Sequence, residues 1–174
     1  MKLIGICGSA GAGKSTFARY LSDIFFELAQ EPVRIIPFAK ALKDMAINMG
    51  WNGLKDEKGR RLLQLLGTDV CRECIDQDYW INQWNKKTAS YMSDDKVLVI
   101  ADDVRFPNEM SRILSLGGKV YKIIGRAYND IDNSHASEQG LIVEEQYIIN
   151  NDSLMSALRV PATKIIKELI SWVY

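Results

Sequence analysis

The chain has 174 residues, 47% of them hydrophobic and 25% charged, a composition typical of one globular domain. Its 22 basic and 22 acidic residues cancel, which argues against nucleic-acid binding as its main activity, because non-specific binding to phosphates needs a basic excess. The apolar run at 97–101 is far shorter than the roughly 20 residues of a membrane span, so no membrane partner is expected.

The first third of the chain predicts a strand, a loop, a helix and a second strand. Residues 2–7 form a compact apolar run, and a glycine cluster follows them. Apolar residues then recur at helical spacing, at Phe17, Tyr20, Leu21, Ile24, Phe25 and Leu28. Pro32 ends this helix, and residues 33–36 predict the second strand.

Residues 39–90 have a helical pattern throughout, with breaks expected at Gly50, Gly53 and Gly67 and no strand. Trp80 and Trp84 fall in this block and are expected in its core. The block therefore predicts a helical insertion between two strands of an α/β core.

Strands and helices alternate again after residue 90. Strands are predicted at 96–101, 119–124 and 147–149, and a helix at 108–116. A C-terminal helix should begin at Asp152, and Pro161 should bend or break it. This alternation predicts a five-stranded, mainly parallel sheet with helices on both faces.

The strongest motif is a phosphate-binding loop. It matches G-x-x-x-x-G-K-[ST] at every fixed position and lies between an apolar strand and an amphipathic helix. Its residues are Gly8, Ser9, Ala10, Gly11, Ala12, Gly13, Lys14 and Ser15. The loop should aim backbone N–H groups at phosphate oxygens of ATP. Lys14 would add a cation, Ser15 a hydroxyl ligand for Mg²⁺, and Thr16 a hydroxyl near the α-phosphate. The alternative is a glycine-rich turn that only happens to contain Lys-Ser.

A phosphate-binding loop indicates a nucleoside triphosphate but does not identify the reaction. A GTPase would need Asn-Lys-x-Asp and Asp-x-x-Gly, which the segments 85–88 and 103–106 do not provide. A mechanical ATPase normally has a longer chain. A small-molecule kinase fits the length, and it is expected to have a helical acceptor region and an arginine-bearing lid.

Two carboxylates, Asp102 and Asp103, end the strand predicted at 96–101, at the sheet edge where open α/β proteins bind ligands. One of them could hold Mg²⁺ or orient the acceptor phosphate, and the other could merely cap a helix. The sequence leaves open which one acts. Arg105 would lie beside the transferred group, or else be a surface arginine.

The chain resembles the deoxynucleoside monophosphate kinases of bacteriophages, members of the P-loop kinase group, from Leu3 to about Asn150. The segments that carry the resemblance follow in order: the phosphate-binding loop, 37–43, 60–68 with Arg72 and Trp80, 102–109, and 135–138. The Leu-Gln-x-x-Gly-Thr and Asp-Val-Arg-Phe-Pro-Asn-Glu stretches are the most specific. The resemblance implies a three-layer α/β/α P-loop fold and Mg²⁺-dependent transfer of the ATP γ-phosphoryl group to a deoxynucleoside monophosphate.

The resemblance also implies a single domain with three parts. The core would comprise 1–38, 91–125 and 141–174, the monophosphate-binding insertion 39–90, and the lid 126–140. The three cysteines are an odd number in a chain that does not look secreted, so reduced thiols and a cytoplasmic location are expected, in the host if the chain is phage-encoded.

Candidates for the monophosphate site lie on the insertion. Arg61 and Gln64 are three residues apart and face the same side of a helix, so they could hold a phosphate and a base edge respectively. Arg72 could reach the same pocket, and Lys43 is a further candidate. Each could instead be a solvated helix residue. The residues alone do not decide between Arg60 and Arg61, and the resemblance favours Arg61. Asp103 and Arg105 complete the predicted substrate site.

Arg126 begins the polar segment predicted as the lid, and is a candidate clamp on the triphosphate. The predicted catalytic residues are Lys14, Asp102, Asp103, Arg105 and Arg126, and the predicted metal ligands are Ser15 and Asp102.

Two other functions stay open: a kinase of another small acceptor, and a regulator that binds nucleotide without transfer. The oligomeric state is open between a monomer and a homodimer.

Overall fold

Five parallel strands form the sheet in the order β2-β3-β1-β4-β5. The structure is a computed structural model, and it describes residues 1–125, 141–152 and 155–171. The strands are β1 (Lys2–Cys7), β2 (Val33–Ile35), β3 (Leu98–Ala101), β4 (Lys119–Gly125) and β5 (Ile148–Asn151). The predicted five-stranded parallel sheet is confirmed.

Helices cover both faces of this sheet. They are α1 (Lys14–Ala29), α2 (Ala39–Asn48), α3 (Glu57–Gln64), α4 (Tyr79–Thr88), α5 (Pro107–Ser115) and α6 (Arg159–Ser171). Successive strand residues point to opposite faces. In β1, Ile4 and Ile6 therefore pack with Phe17 of α1 and Ile166 of α6, whereas Leu3 packs in a second core with α4 and α5.

The register of the central strand positions the site. β1 pairs with β3 from Lys2–Leu98 to Gly5–Ala101, and β4 pairs with β5 up to Gly125–Asn151. The C-terminal ends of these four strands therefore meet at one edge of the sheet. The phosphate-binding loop and the segment beginning at Asp102 both start from this edge.

The helical insertion joins β2 to β3 and contains α2, α3 and α4. Trp84 of α4 is buried, stacks on Phe38 and donates through Nε1 to the Ile36 carbonyl at 2.8 Å, which fixes the insertion to the end of β2. Trp80 is also buried, so both tryptophans are core residues, as expected.

The break expected at Gly67 is wrong. A π-helical segment, Leu65–Ile75, continues directly from α3 and contains this glycine. The glycine packs closely against α2, because a Cβ there would lie 3.0 Å from a Leu42 methyl group. The Gly67 carbonyl also accepts a hydrogen bond from Trp80 Nε1 at 2.7 Å.

The C-terminal helix also differs from the expectation. It does not begin at Asp152 but at Arg159, after a short 3₁₀ turn (Met155–Leu158). Pro161 lies in its first turn, where the missing N–H has no intrahelical partner, and therefore neither bends nor breaks the helix. In the described part of the chain, no helix is both long and apolar enough to cross a membrane.

Gly8, the first residue after β1, is needed for its backbone conformation and for space. Its φ is +139°, and a Cβ there would lie 2.3 Å from the Ile123 carbonyl oxygen of β4. The loop can therefore leave the sheet at this point only if no side chain is present.

We predict that Gly8→Ala lowers the free energy of unfolding by about 3 kcal/mol, because strained backbone and a clash with a fixed strand add together. Gly53→Ala is the matched control, since Gly53 also has a positive φ, +83°, but nothing lies within 4 Å of its Cβ position. It should cost about 1 kcal/mol. Equal losses in urea denaturation would contradict the role assigned to the contact with β4.

Candidate active site

The phosphate-binding loop curls at the N-terminus of α1. Gly8, Gly11 and Gly13 all have positive φ, and the Ala12 N–H donates to the Ser9 carbonyl at 3.3 Å. Gly13 precedes α1 with φ +103°, so the first N–H groups of the helix lie at the loop. Lys14 Nζ donates to the Gly8 and Ser9 carbonyls at 2.8 and 2.7 Å, which holds its cation across the loop.

Ser15 and Asp102 come together at this loop, as the parallel pairing of β1 and β3 requires. The Ser15 hydroxyl is exposed and donates to Asp102 Oδ2 at 2.9 Å. A hydroxyl and a carboxylate are oxygen ligands of the kind that Mg²⁺ prefers. These two predicted metal residues therefore have suitable chemistry and a suitable place for that ion.

Asp103 points to a different partner. Its two carboxylate oxygens accept hydrogen bonds from the N–H groups of Phe38 and Ala39 at 2.8 and 2.9 Å. Burial raises the pKa of Asp103, and these two hydrogen bonds oppose that rise. The contact fixes the N-terminus of α2, so Asp103 anchors the insertion while Asp102 contacts the loop.

Lys55 is acted on by cations from α2, α3 and the segment after β3. The positive charge of Lys43 lowers the pKa of Lys55, with smaller contributions from burial, Arg105 and Arg60. Arg60 Nε also donates to the Lys55 carbonyl at 3.0 Å, which ties the loop before α3 to that helix. We call Lys43, Lys55, Arg60 and Arg105 the cation cluster. Like charges this close repel, and a bound anion would relieve the repulsion.

The predicted site residues of α3 are solvent-facing. Arg61 and Gln64 are both exposed, and Arg61 is not among the charges that act on Lys55. The structure thus brings Arg60, rather than Arg61, to the cation cluster. The substrate contacts of Arg61 and Gln64 stay predictions.

Arg72 lies inside the protein, 4% exposed, and its guanidinium stacks 3.9 Å from the centre of the Phe106 ring. It donates to Glu109 Oε1 at 2.5 Å and to the Gln77 carbonyl at 3.0 Å. These contacts give it a structural role between the π-helical segment and α5. These partners are all groups of the protein itself, and the contact of Arg72 with a substrate stays a prediction.

Glu109 organises the loop that carries Arg105. Its Oε2 accepts the N–H groups of Arg105 and Phe106 at 2.8 and 3.2 Å. Burial raises the pKa of Glu109 to about 7, against the lowering effect of these hydrogen bonds and of Arg72. The sequence analysis missed this residue, although Pro107 followed by Glu109 is a recognisable helix start. Lys55 was also missed, and no local pattern marks it. The residues alone did not decide between Arg60 and Arg61, and the resemblance favoured Arg61.

Arg126 and the lid predicted at 126–140 lie outside the described residues. Lys14 and Ser15 lie in the first turn of α1, and Lys43 lies on α2.

The family model for deoxynucleotide monophosphate kinase matches residues 46–161, two thirds of the chain. The chain belongs to the deoxynucleotide monophosphate kinase family. The model for the phosphoribulokinase and uridine kinase family matches residues 3–60, which include the phosphate-binding loop.

Two curated relatives agree with this result. The deoxynucleotide monophosphate kinase of Escherichia phage RB69 is 30% identical over 109 residues, 62% of this chain and 44% of that protein. This chain thus spans less than half of the phage protein. A protein of Acanthamoeba polyphaga mimivirus, provisionally named a deoxynucleotide monophosphate kinase, is 29% identical over 180 residues, 88% of this chain and 91% of that protein.

A solved structure from Chloroflexus aurantiacus, provisionally described as a kinase, superposes with a TM-score of 0.52. The two sequences are 13% identical, and the match covers 96% of each chain. At this identity the likeness concerns the fold alone. Together with the sheet order and the phosphate-binding loop, it identifies the P-loop kinase fold of this family member.

We predict that Arg72→Met lowers the free energy of unfolding by about 3 kcal/mol at pH 8, because it leaves the buried Glu109 carboxylate without its cation. The loss should shrink towards pH 6. The folded pKa of Glu109 is raised, so the carboxyl group binds a proton as the pH falls and no longer needs a cation.

The matched control is Arg159→Met, which breaks an exposed pair with Glu27 at 3.2 Å. That change should cost less than about 1 kcal/mol at either pH. Denaturant titrations at pH 6 and pH 8 compare the two variants. If both variants lost the same free energy of unfolding at both pH values, the structural role of Arg72 would be contradicted.

Proposed function

We propose that this chain transfers the γ-phosphoryl group of ATP, with Mg²⁺, to a deoxynucleoside monophosphate, and that the product is the diphosphate. The observation that supports this best is the arrangement around the segment after β3. Asp102, at the start of this segment, accepts from Ser15 of the phosphate-binding loop, and Arg105, three residues later, is one of the cations whose charge acts on Lys55. Membership of the deoxynucleotide monophosphate kinase family supports the same reaction.

On the donor side, residues 8–16 would bind the phosphates of ATP through backbone N–H groups and the Lys14 ammonium. Lys14 would have to leave the Gly8 and Ser9 carbonyls to reach a phosphate, and its flexible side chain allows this. Ser15 and Asp102 would hold Mg²⁺, which when bound supplies positive charge to the phosphate oxygens.

On the acceptor side, the cation cluster would bind the phosphate of the monophosphate. Arg105 is well placed for this because Glu109 fixes its backbone, and Lys43 because Asp103 fixes the start of its helix. Arg61 and Gln64 would reach the phosphate and the base of the acceptor. The preference for a deoxyribose rests on family membership alone.

The chain's own residues need only position the two substrates and neutralise the charge on their phosphates. Phosphoryl transfer has a transition state with charge spread over the phosphate oxygens, so aligned reactants and nearby cations provide most of the rate enhancement. No covalent intermediate with a side chain is required. Arg126 is proposed as a further cation for the triphosphate, and the reaction would take place in the cytoplasm.

The direct test is release of ADP measured with a panel of deoxynucleoside monophosphates, ribonucleoside monophosphates and small phosphorylated or hydroxylated metabolites. We expect ADP release only with nucleoside monophosphates, and faster with the deoxy forms. Lys14→Ala serves as the inactive control. ATP hydrolysis at the same rate with and without an acceptor, or transfer only to a non-nucleotide acceptor, would contradict the proposal.

Two substitutions on α3 separate the phosphate contact from the base contact. Arg61→Ala should raise the acceptor KM about tenfold to a hundredfold for every acceptor, because each carries the same phosphate. Gln64→Ala should change the ranking of the bases, because an amide reads a base edge. Neither should change the KM for ATP.

The control for both variants is Lys58→Ala, another exposed residue of α3 that is not among the charges acting on Lys55. Its kinetics should match those of the wild type. If Arg61→Ala changed only the KM for ATP, the insertion would not be the acceptor site.

A further inference from the structure

Asn151 is a buried polar residue beside the phosphate-binding loop. It is the last residue of β5, lies opposite Gly125 of β4, and is 8% exposed. Its side-chain Nδ2 donates to the Ala12 carbonyl at 3.0 Å. The end of β5 is thus bonded to a loop 139 residues away in sequence.

The contact is tight on both sides of the Ala12–Gly13 peptide. A Cβ on Gly13 would lie 2.8 Å from Asn151 Nδ2, and a Cβ on Gly125 would lie 2.8 Å from the Ala12 carbonyl oxygen. Ala12 itself is fully buried. The ends of β4 and β5 therefore define where this peptide lies.

Holding the Ala12 carbonyl also orients the next N–H group. The peptide unit is planar and trans, so its carbonyl and the Gly13 N–H point in opposite directions. Since the carbonyl points at Asn151, the Gly13 N–H points away from β5. In a phosphate-binding loop, such N–H groups contact phosphate oxygens.

A buried amide side chain at position 151 is less favourable for packing than an apolar side chain would be. Among the described residues, Asn151 Oδ1 is the buried side-chain atom that has no hydrogen-bond partner. An unpaired buried acceptor is unfavourable, and an apolar side chain of similar size would avoid that cost. What the amide adds at this position is its donor to Ala12.

We propose that Asn151 is a positioning residue for nucleotide binding, which holds the Ala12 carbonyl so that the Gly13 N–H faces the phosphates of the donor nucleotide. The inference rests on the proposed function, because it takes ATP as the occupant of the loop. It adds a residue from the far end of the chain to the donor site.

The test uses Asn151→Leu and Asn151→Asp, with Asn150→Leu as the control on the exposed neighbouring position of β5. Calorimetry measures the affinity of each variant for ADP with Mg²⁺ and, separately, for the best acceptor monophosphate. Both Asn151 variants should lose about tenfold or more in ADP affinity, and acceptor affinity should not change. Asn151→Asp should lose more, because its carboxylate repels the Ala12 carbonyl and the phosphates. It is nearly isosteric with asparagine, and so remains informative if the leucine variant does not fold.

Unchanged ADP affinity in a folded Asn151 variant would overturn the inference and leave the proposed reaction standing. Parallel losses of ADP and acceptor affinity would also overturn it, since they indicate a general structural role. A wild-type chain that binds no ADP or ATP would overturn both the inference and the proposed function.

Discussion

The two neighbouring carboxylates at the end of β3 join the two halves of the site, because each binds a different helix. Asp102 accepts from Ser15 in the first turn of α1, and Asp103 accepts from the backbone N–H groups that begin α2. The next residue, Val104, donates its N–H to the Ile6 carbonyl of β1 at 3.0 Å, which fixes the direction of the segment. These two adjacent residues therefore link the start of the helical insertion to the phosphate-binding loop.

The rest of the acceptor side is attached to the same segment. Glu109 binds the backbone of Arg105 and pairs with Arg72, so the π-helical segment of the insertion is fixed to the start of α5. The segment from Asp103 to Glu109 thus holds the insertion at both of its ends, in addition to the Trp84 hydrogen bond to Ile36. The same segment contributes Arg105 to the cation cluster, whose positive charge suits an anionic ligand.

The local sequence pattern was enough to predict the five strands and the phosphate-binding loop, because both are encoded by short runs of residues. The choice between Asp102 and Asp103 depends on strand register and on distant backbone N–H groups, so the sequence left it open. Arg72 was expected in the monophosphate pocket or on a solvated helix face, but it is buried and paired with Glu109, 37 residues away. Lys55 and Asn151 carry no local signal, since their neighbours come together only in the tertiary fold.

The comparison of Asp102→Asn with Asp103→Asn tests most directly whether the two carboxylates have different roles. Asp102→Asn should lower kcat about a hundredfold or more and leave the free energy of unfolding unchanged. Asp103→Asn should lower the free energy of unfolding by about 1–3 kcal/mol and raise the acceptor KM, because an amide cannot accept both N–H groups of α2. Full kcat in Asp102→Asn, or a larger loss of kcat in Asp103→Asn with unchanged stability and acceptor KM, would contradict this account.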